Sequence, residues 1–307
     1  MEIGRRTFLA SAAALTLLRN PAGAQGGSDV IALWPGSPPD GTGPQDQEKI
    51  SANGSLTNVS WPRLIIHKPE HPNGTAALVI GGGGYAHIEL GKESTPTAIW
   101  LQSLGVTAFE LIYRLPKEGW TAAAPFQDAQ RAMRLIRAGS DRFQVNPARI
   151  GVIGFSAGGH LAGMTATQPL SALYPPVDSA DAATARPGFA GLIYPVLTMM
   201  PPFDKTHTRR EIVGAHPSDA ERLAYSVERH VDNQTPVTFL AQALDDPISP
   251  VDNSLLMFSA LRQANVPAEM HVFQSGGHGW GLGASDSPVH AWPALFTAWA
   301  TMNGFWT

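Results

Sequence analysis

The chain has 307 residues, 43% apolar and 15% charged, with a formal net charge of −4 and no cysteine. So little charge excludes a disordered chain or a coiled coil, and the missing cysteine excludes disulfides, thiol nucleophiles and iron–sulfur or zinc–thiolate sites. Outside the Arg5-Arg6 pair at the start there is no basic run beyond Arg209-Arg210, which argues against a nucleic-acid partner, because phosphate binding needs clustered positive charge.

Residues 1–24 read as an export signal. Arg5-Arg6 precede Phe8-Leu9, an apolar run follows from Ala10 to Leu18, and Ala22-Gly23-Ala24 forms an A-x-A cleavage site. The run falls far short of the roughly 20 residues that span a bilayer. The arginine pair resembles a twin-arginine leader. Residues 25–307 are then expected to be one soluble domain, with no membrane partner, acting in the periplasm or outside the cell.

Residues 25–60 are rich in Gly, Pro, Ser and Asn and read as an extended lead-in outside the core. Short apolar runs then alternate with helical patterns. Leu64–Ile66 and Ala76–Ile80 read as strands, the second ending in Gly81-Gly82-Gly83-Gly84. Ser94 or Thr95 is placed to cap a helix that has Pro96 in its first turn and stops at Gly105. Val106–Tyr113 is the next strand. In the helix expected over Pro125–Ala138, Phe126, Ala129, Met133 and Ile136 share an inner face; Arg131, Arg134 and Arg137 share another, read as solvated. Ile150–Phe155 is a short apolar strand followed by a helix from Ala157 to about Thr167. Strands at Phe189–Val196, Val237–Ala243 and Met270–Phe273 follow, with helices near 252–263 and 289–302. This alternation implies an α/β fold around a mostly parallel sheet. Residues 169–235 read as a Pro-rich insertion above it.

The chemistry concentrates at Gly154-Phe155-Ser156-Ala157-Gly158, a G-x-S-x-G between an expected strand and an expected helix. A serine on so sharp a turn is held in a strained backbone above the sheet edge, and side chains two residues either side would collide, so glycine is needed there. A serine hydroxyl also needs a base, and the base an orienting acid. In a parallel α/β sheet these follow in the order serine, acid, histidine. Asp245-Asp246 end one later strand and His278 lies in the Gly-rich loop after another, both at carboxyl ends of strands. Pro247 turns the chain away just after Asp246, which makes Asp246 the better placed acid, with Asp245 the alternative. Of the remaining histidines, His160 is expected to pack locally, His207, His216 and His230 to lie at the surface, and His87 to be a further possible lining residue. An oxyanion hole needs backbone N–H donors, expected from Ala157 and from the Gly81–Gly84 loop. No P-loop pattern, no cofactor fingerprint and no His/Asp cluster at metal spacing is found, so no cofactor or metal is expected.

With these residues in view, the chain resembles the α/β-hydrolase superfamily, and within it bacterial esterases of the acetyl-xylan-esterase-like and bifunctional xylan/feruloyl-esterase-like group. The resemblance rests on LVIGGGGY at 78–85, ELIYRLP at 110–116, PFQDAQRAMRLIR at 125–137, NPARIGVIGFSAGGHLA at 146–162, DDPISPVDNSLLMFSALRQANVPAEMHVF at 245–273 and GGHGWGL at 276–282. It implies Ser156 as nucleophile, Asp246 as acid and His278 as base, with the N–H groups of Gly83, Gly84 and Ala157 as the oxyanion hole. Gly81 departs from the group, where His or Pro is more frequent, and so does Ser249, where Val is frequent. The implied activity is deacetylation of acetylated xylan or xylo-oligosaccharides. Feruloyl ester or simple short-chain ester hydrolysis is the alternative, and a non-catalytic binding module is the rival of a different class. Glycoside hydrolysis needs a carboxylate pair across a sugar, and none is identified. Tyr85, Tyr225 and Trp280 are candidate faces for a sugar ring.

Overall fold

The computed structural model describes residues 29–306; the expected leader and cleavage site lie outside the described residues. Eight strands form the main sheet: β1 Asp29–Ala32, β2 Arg63–His67, β3 Ala76–Ile80, β4 Thr107–Ile112, β5 Ile150–Phe155, β6 Phe189–Ile193, β7 Val237–Ala243 and β8 Ala268–Phe273. Their spatial order is β1-β2-β4-β3-β5-β6-β7-β8. β2 runs against both of its neighbours, and all other pairs are parallel. This is the mostly parallel α/β sheet expected from the alternating pattern, in keeping with the α/β-hydrolase fold that the resemblance implies.

The sheet is covered on both faces by α1 Thr95–Ser103, α2 Ala124–Ala138, α3 Ser156–Thr167, α6 Asp252–Gln263 and α7 Trp292–Met302; α4 His207–Val213 and α5 Asp219–Ala224 lie between β6 and β7. In β3 the alternation is visible residue by residue. Ala76, Leu78 and Ile80 pack with Met133 of α2, Leu161 of α3 and Met257 of α6. Ala77 and Val79 pack with Leu101 of α1 and Trp292, Phe296 and Trp299 of α7. Every residue of β3, β4, β5 and β6 is buried, which is why these strands read as continuous apolar runs.

Four expectations need correction. Residues 25–60 are not a mere lead-in: Asp29–Ala32 adds the edge strand to β2, and Leu33, Trp34, Leu56 and Val59 are buried in the core. The arginines of α2 do not face solvent. Arg131 is 1% exposed and is closed over by Asp178 and Asp181, while Arg137 donates to the carbonyl oxygens of Thr184 and Arg186. The region 169–235 is not one insertion, because β6 runs through it and the excursion proper is the chain between β6 and β7. Finally, Ser94 and Thr95 do not cap α1. Both hydroxyls instead donate to Glu110 Oε1 at 2.6 Å, charge-assisted bonds that turn them toward the buried carboxylate and away from the N–H groups at the helix start.

The end of β4 is fixed to α2 by a buried ion pair. Asp128 accepts from the Arg114 backbone N–H at 2.8 Å, from Arg114 Nε at 3.0 Å and from Trp34 Nε1 at 2.8 Å. Both charged side chains are fully buried, and the guanidinium lies over Trp34 and Trp120. Removing one partner of such a pair leaves an uncompensated interior charge. Asp128→Ala is therefore expected to lower the unfolding free energy by about 3–5 kcal/mol. Urea unfolding beside wild type is the check, and an unchanged midpoint would contradict this account of the pair.

Candidate active site

β5 ends at Phe155 and α3 begins at Ser156 with no intervening loop. The turn is possible only because Ser156 adopts φ +51°, a backbone region that costs a non-glycine residue of order 1–3 kcal/mol. The neighbouring glycines leave room for it. A Cβ at Gly154 would lie 2.1 Å from the Gly158 carbonyl oxygen, and one at Gly158 would lie 2.3 Å from the Ile80 carbonyl oxygen. A Cβ at Gly159 would meet Pro195 Cβ at 2.7 Å. The helix is thus set directly on the backbones at the ends of β3 and β6, and all of α3 is buried.

The three residues expected to work together meet at the ends of three strands. Ser156 follows β5, Asp246 lies just after β7, and His278 lies in the loop after β8. Ser156 Oγ is 2.8 Å from His278 Nε2, and His278 Nδ1 is 2.7 Å from Asp246 Oδ2. The hydroxyl has the ring nitrogen as its acceptor, and the other nitrogen donates to the carboxylate. Asp246 is fixed by further donors: the N–H groups of Ile248 and Ser249 both reach Oδ1 at 2.8 Å, and Gln242 Nε2 reaches Oδ2 at 3.1 Å. Asp245, the alternative acid, points elsewhere. Its Oδ1 accepts from Gly276 N–H at 2.9 Å and Gly277 N–H at 2.8 Å, which holds the start of the histidine loop. Ser249, unlike the valine frequent in the group, donates its hydroxyl to the Pro195 carbonyl oxygen at 2.6 Å.

The glycine loop after β3 is anchored at successive residues. Tyr113 Oη donates to the Gly81 carbonyl oxygen at 2.9 Å, and Gly82 N–H donates to Glu93 Oε2 at 2.6 Å. The Gly83 carbonyl accepts from Ala86 N–H at 3.1 Å and His87 N–H at 3.3 Å. Gly83 and Gly84 take φ +105° and +65°, a backbone region that favours glycine. Together with Ser156 and His278 they line one cleft of about 540 Å³. Ala157 is buried in the first turn of α3, where the first amides of a helix have no partner within it. His87, Glu89, Lys92, Thr206 and His207 add polar walls to the cleft. His207 is exposed, as expected, yet it is also part of this wall; a Cβ at Gly84 would touch its ring at 3.1 Å.

The aromatic candidates do not fit their expected role. Tyr85 is fully buried, with its hydroxyl 2.9 Å from His160 Nδ1. Trp280 packs on Tyr194 at 4.4 Å between ring centroids and is not part of the cleft lining. Tyr225 lines a separate apolar cavity of about 240 Å³ with Phe126, Met164 and Leu173. Sequence composition cannot distinguish an aromatic that faces a ligand from one that packs. His160 is a packing residue, as expected. Its Nε2 donates to the Tyr225 carbonyl oxygen at 2.8 Å, and burial pushes its pKa down to about 4, so the ring is neutral and Nδ1 accepts from Tyr85.

The residue that sequence reasoning missed is Glu93. It stands in a π-helical turn, Leu90–Ser94, ahead of α1, lines the cleft and is 3% exposed. Burial raises its carboxyl to about 7, against the lowering effects of Gly82 N–H, the Tyr194 hydroxyl and the charge of His278. Nothing in the run GKESTP marks it, because its partners come from β6 and the glycine loop. Among the described residues there is no cluster of three or more metal-ligating side chains, and no helix is long and apolar enough to cross a membrane.

The BD-FAE family profile matches residues 64–261. An acetylxylan esterase of Xylanibacter ruminicola is 29% identical over 243 residues, covering 78% of this chain and 47% of the relative. An endo-1,4-beta-xylanase B of Butyrivibrio fibrisolvens is 32% identical over 217 residues, covering 70% of this chain and 34% of the relative. The chain therefore spans half or less of the length of these relatives. Among solved structures, the acetyl ester-xyloside bifunctional hydrolase from Caldicellulosiruptor lactoaceticus superposes with a TM-score of 0.78 at 32% identity, covering 92% of this chain and 98% of that one. The propionate-bound esterase Est2 of Thermogutta terrifontis superposes with a TM-score of 0.71 at 23% identity, with coverage of 92% and 96%, a likeness of fold alone. With the profile matched across most of the sheet, the chain belongs to the BD-FAE family of acetyl-xylan-esterase-like α/β-hydrolases.

Proposed function

We propose that this protein is a serine esterase that removes acetyl groups from acetylated xylan or xylo-oligosaccharides. The observation that carries the reading is the chain Ser156–His278–Asp246, with spacings of 2.8 and 2.7 Å, opening on a cleft that the glycine loop also lines. In this reading His278 takes the Ser156 proton as Oγ attacks the ester carbonyl carbon, and Asp246 holds the imidazole and stabilises the imidazolium. The N–H groups of Gly83, Gly84 and Ala157 stabilise the developing oxyanion. The tetrahedral intermediate collapses, His278 returns the proton to the leaving alcohol, and Ser156 is left as an acyl ester. Water, deprotonated by His278, then attacks the acyl carbon; the bond to Ser156 Oγ breaks, His278 returns the proton to Oγ, and the acid leaves.

The sugar part of the proposal draws on the cleft walls and on the family. His87, Lys92, Thr206 and His207 offer hydrogen-bonding groups to the hydroxyls of a sugar, beside Ala86, Val196 and Ile248, which offer an apolar wall to the acyl group or the ring faces. Glu89, which lines the same cleft, has one buried carboxylate oxygen without a partner, Oε1. The acetyl group is favoured by the names of two relatives, an acetylxylan esterase and an acetyl ester-xyloside bifunctional hydrolase. Glycosidic cleavage is not proposed. Glu93 has both oxygens engaged, and Glu89 already holds the Ser55 hydroxyl at 3.0 Å and faces His87 at 3.6 Å. The export signal read from residues 1–24 supports an activity in the periplasm or outside the cell, on a mature domain beginning near residue 25.

Acetate release from acetylated xylo-oligosaccharides, measured beside ferulate release from methyl ferulate, tests the reading. Acetate release is expected to dominate; ferulate release alone would move the protein to feruloyl ester hydrolysis. Ser156→Ala is expected to lower turnover by at least about ten-thousand-fold with an unchanged thermal melt. Substantial residual activity would overturn the nucleophile assignment.

A further inference from the structure

The glycine loop and the histidine loop are joined by a hydrogen-bonded chain that the serine mechanism leaves unused. Glu93 Oε2 accepts from Gly82 N–H at 2.6 Å, and Oε1 accepts from the Tyr194 hydroxyl at 3.0 Å. The Tyr194 oxygen in turn accepts from Gly281 N–H at 3.0 Å, three residues beyond His278. The Tyr194 ring stands edge-on to the His278 ring, 5.0 Å between centroids. Tyr194 is itself held at φ +37° directly after β6. Gly281 packs tightly against the Glu93 turn, where a Cβ would lie 2.0 Å from the Lys92 carbonyl oxygen. One carboxylate thus connects the loop expected to bind the oxyanion with the loop that carries the base.

We propose that Glu93 is a positioning residue whose ionised carboxylate holds these two loops in one arrangement, so that turnover is lost when Glu93 takes a proton. The inference rests on the serine-esterase reading of the same site. Both neighbours of the carboxylate are donors, so the acceptor-only ionised form fits them and a carboxylic acid fits them less well. Its negative charge also favours the imidazolium that His278 becomes during the reaction. The ionisable groups around it are His278, Tyr194, Tyr113 at the end of β4, and Glu89 and Lys92 on its own segment. Of these, His278 favours its charge and Glu89 opposes it, while burial is the largest effect and brings the proton to about pH 7. Glu93 is therefore ionised above neutrality and protonated in mild acid, where His278 must also stay free of an extra proton to act as base.

The test is the pH profile of kcat/KM on an acetyl ester between pH 5 and 9. The acid limb of wild type is expected to be steeper than that of Glu93→Gln by the one proton that Glu93 takes up. Glu93→Gln is expected to have kcat at pH 8 reduced ten- to a hundredfold, with KM within about twofold. Tyr194→Phe removes a donor that keeps Glu93 acidic, so its acid limb is expected to move to higher pH. A merely structural role would lower activity at all pH values without changing these slopes, and that outcome overturns the proposal. A readout independent of turnover uses 15N-glycine-labelled protein. The Gly82 and Gly281 amide resonances are expected to shift together near pH 7 in wild type and in Ser156→Ala, and not in Glu93→Gln. Two amides that titrate independently would overturn the brace. If Ser156→Ala stays active while the two amides still move together, the serine reading has failed and the brace has not. Should Glu93→Gln fail to fold, Tyr194→Phe and the wild-type resonances decide.

Discussion

The whole arrangement depends on a contact between backbones. Ser156 turns from β5 into α3 at a positive φ, and the helix it opens is pressed against the carbonyl oxygens at the end of β3. No side chain fits between them at Gly154 or Gly158. The strained turn persists because β5 lies between β3 and β6 with every residue buried, so its end cannot move without opening the core. The same contact places the helix start, with its unpaired amides, beside the glycine loop after β3. The geometry of nucleophile and loop is therefore one consequence of strand order, not two separate features.

In a chain with 15% charged residues, several ionisable groups are buried where segments join: Arg114 with Asp128, Arg131 under Asp181 and the exposed Asp178, and Glu110 with two hydroxyls. Asp246 and Glu93 are likewise buried at the cleft, each surrounded by donors. They differ in their partners. Asp246 has the histidine and a turn of its own backbone, whereas Glu93 has a glycine amide and a tyrosine hydroxyl from two distant segments. Buried charge here specifies which loops meet, in line with the specificity use of such groups.

The sequence made the central strands legible because each is a short apolar run between turn residues, and Ile150–Phe155 and Val237–Ala243 match the structure end to end. Phe189–Val196 was expected to continue to Val196, but Tyr194 turns the chain out at positive φ. The relation of Ser156, Asp246 and His278 was legible from chain order, since strand ends in a parallel sheet share one edge. The edge strand at Asp29 was not, because four residues give too little alternation to see. The arginine face of α2 was misread because the covering residues 174–186 are distant in sequence and carry their own carboxylates. Aromatic residues were misassigned for the same reason: Tyr85 follows the glycine loop, yet its positive φ turns it into the core. Glu93 could be found only from its hydrogen-bond partners Gly82 and Tyr194, which lie 11 and 101 residues away in the chain.

The site gathers residues from Gly83 to His278, and the last of them arrives on the loop after β8, the outermost strand of the parallel side. Contacts of such long sequence separation are slow to form, since loop closure precedes any gain. The Ser156–His278 hydrogen bond, spanning 122 residues, is among the contacts that wait for β8 to pair with β7. During refolding the reactive geometry is thus a late event, and its appearance reports that the far edge of the sheet has closed.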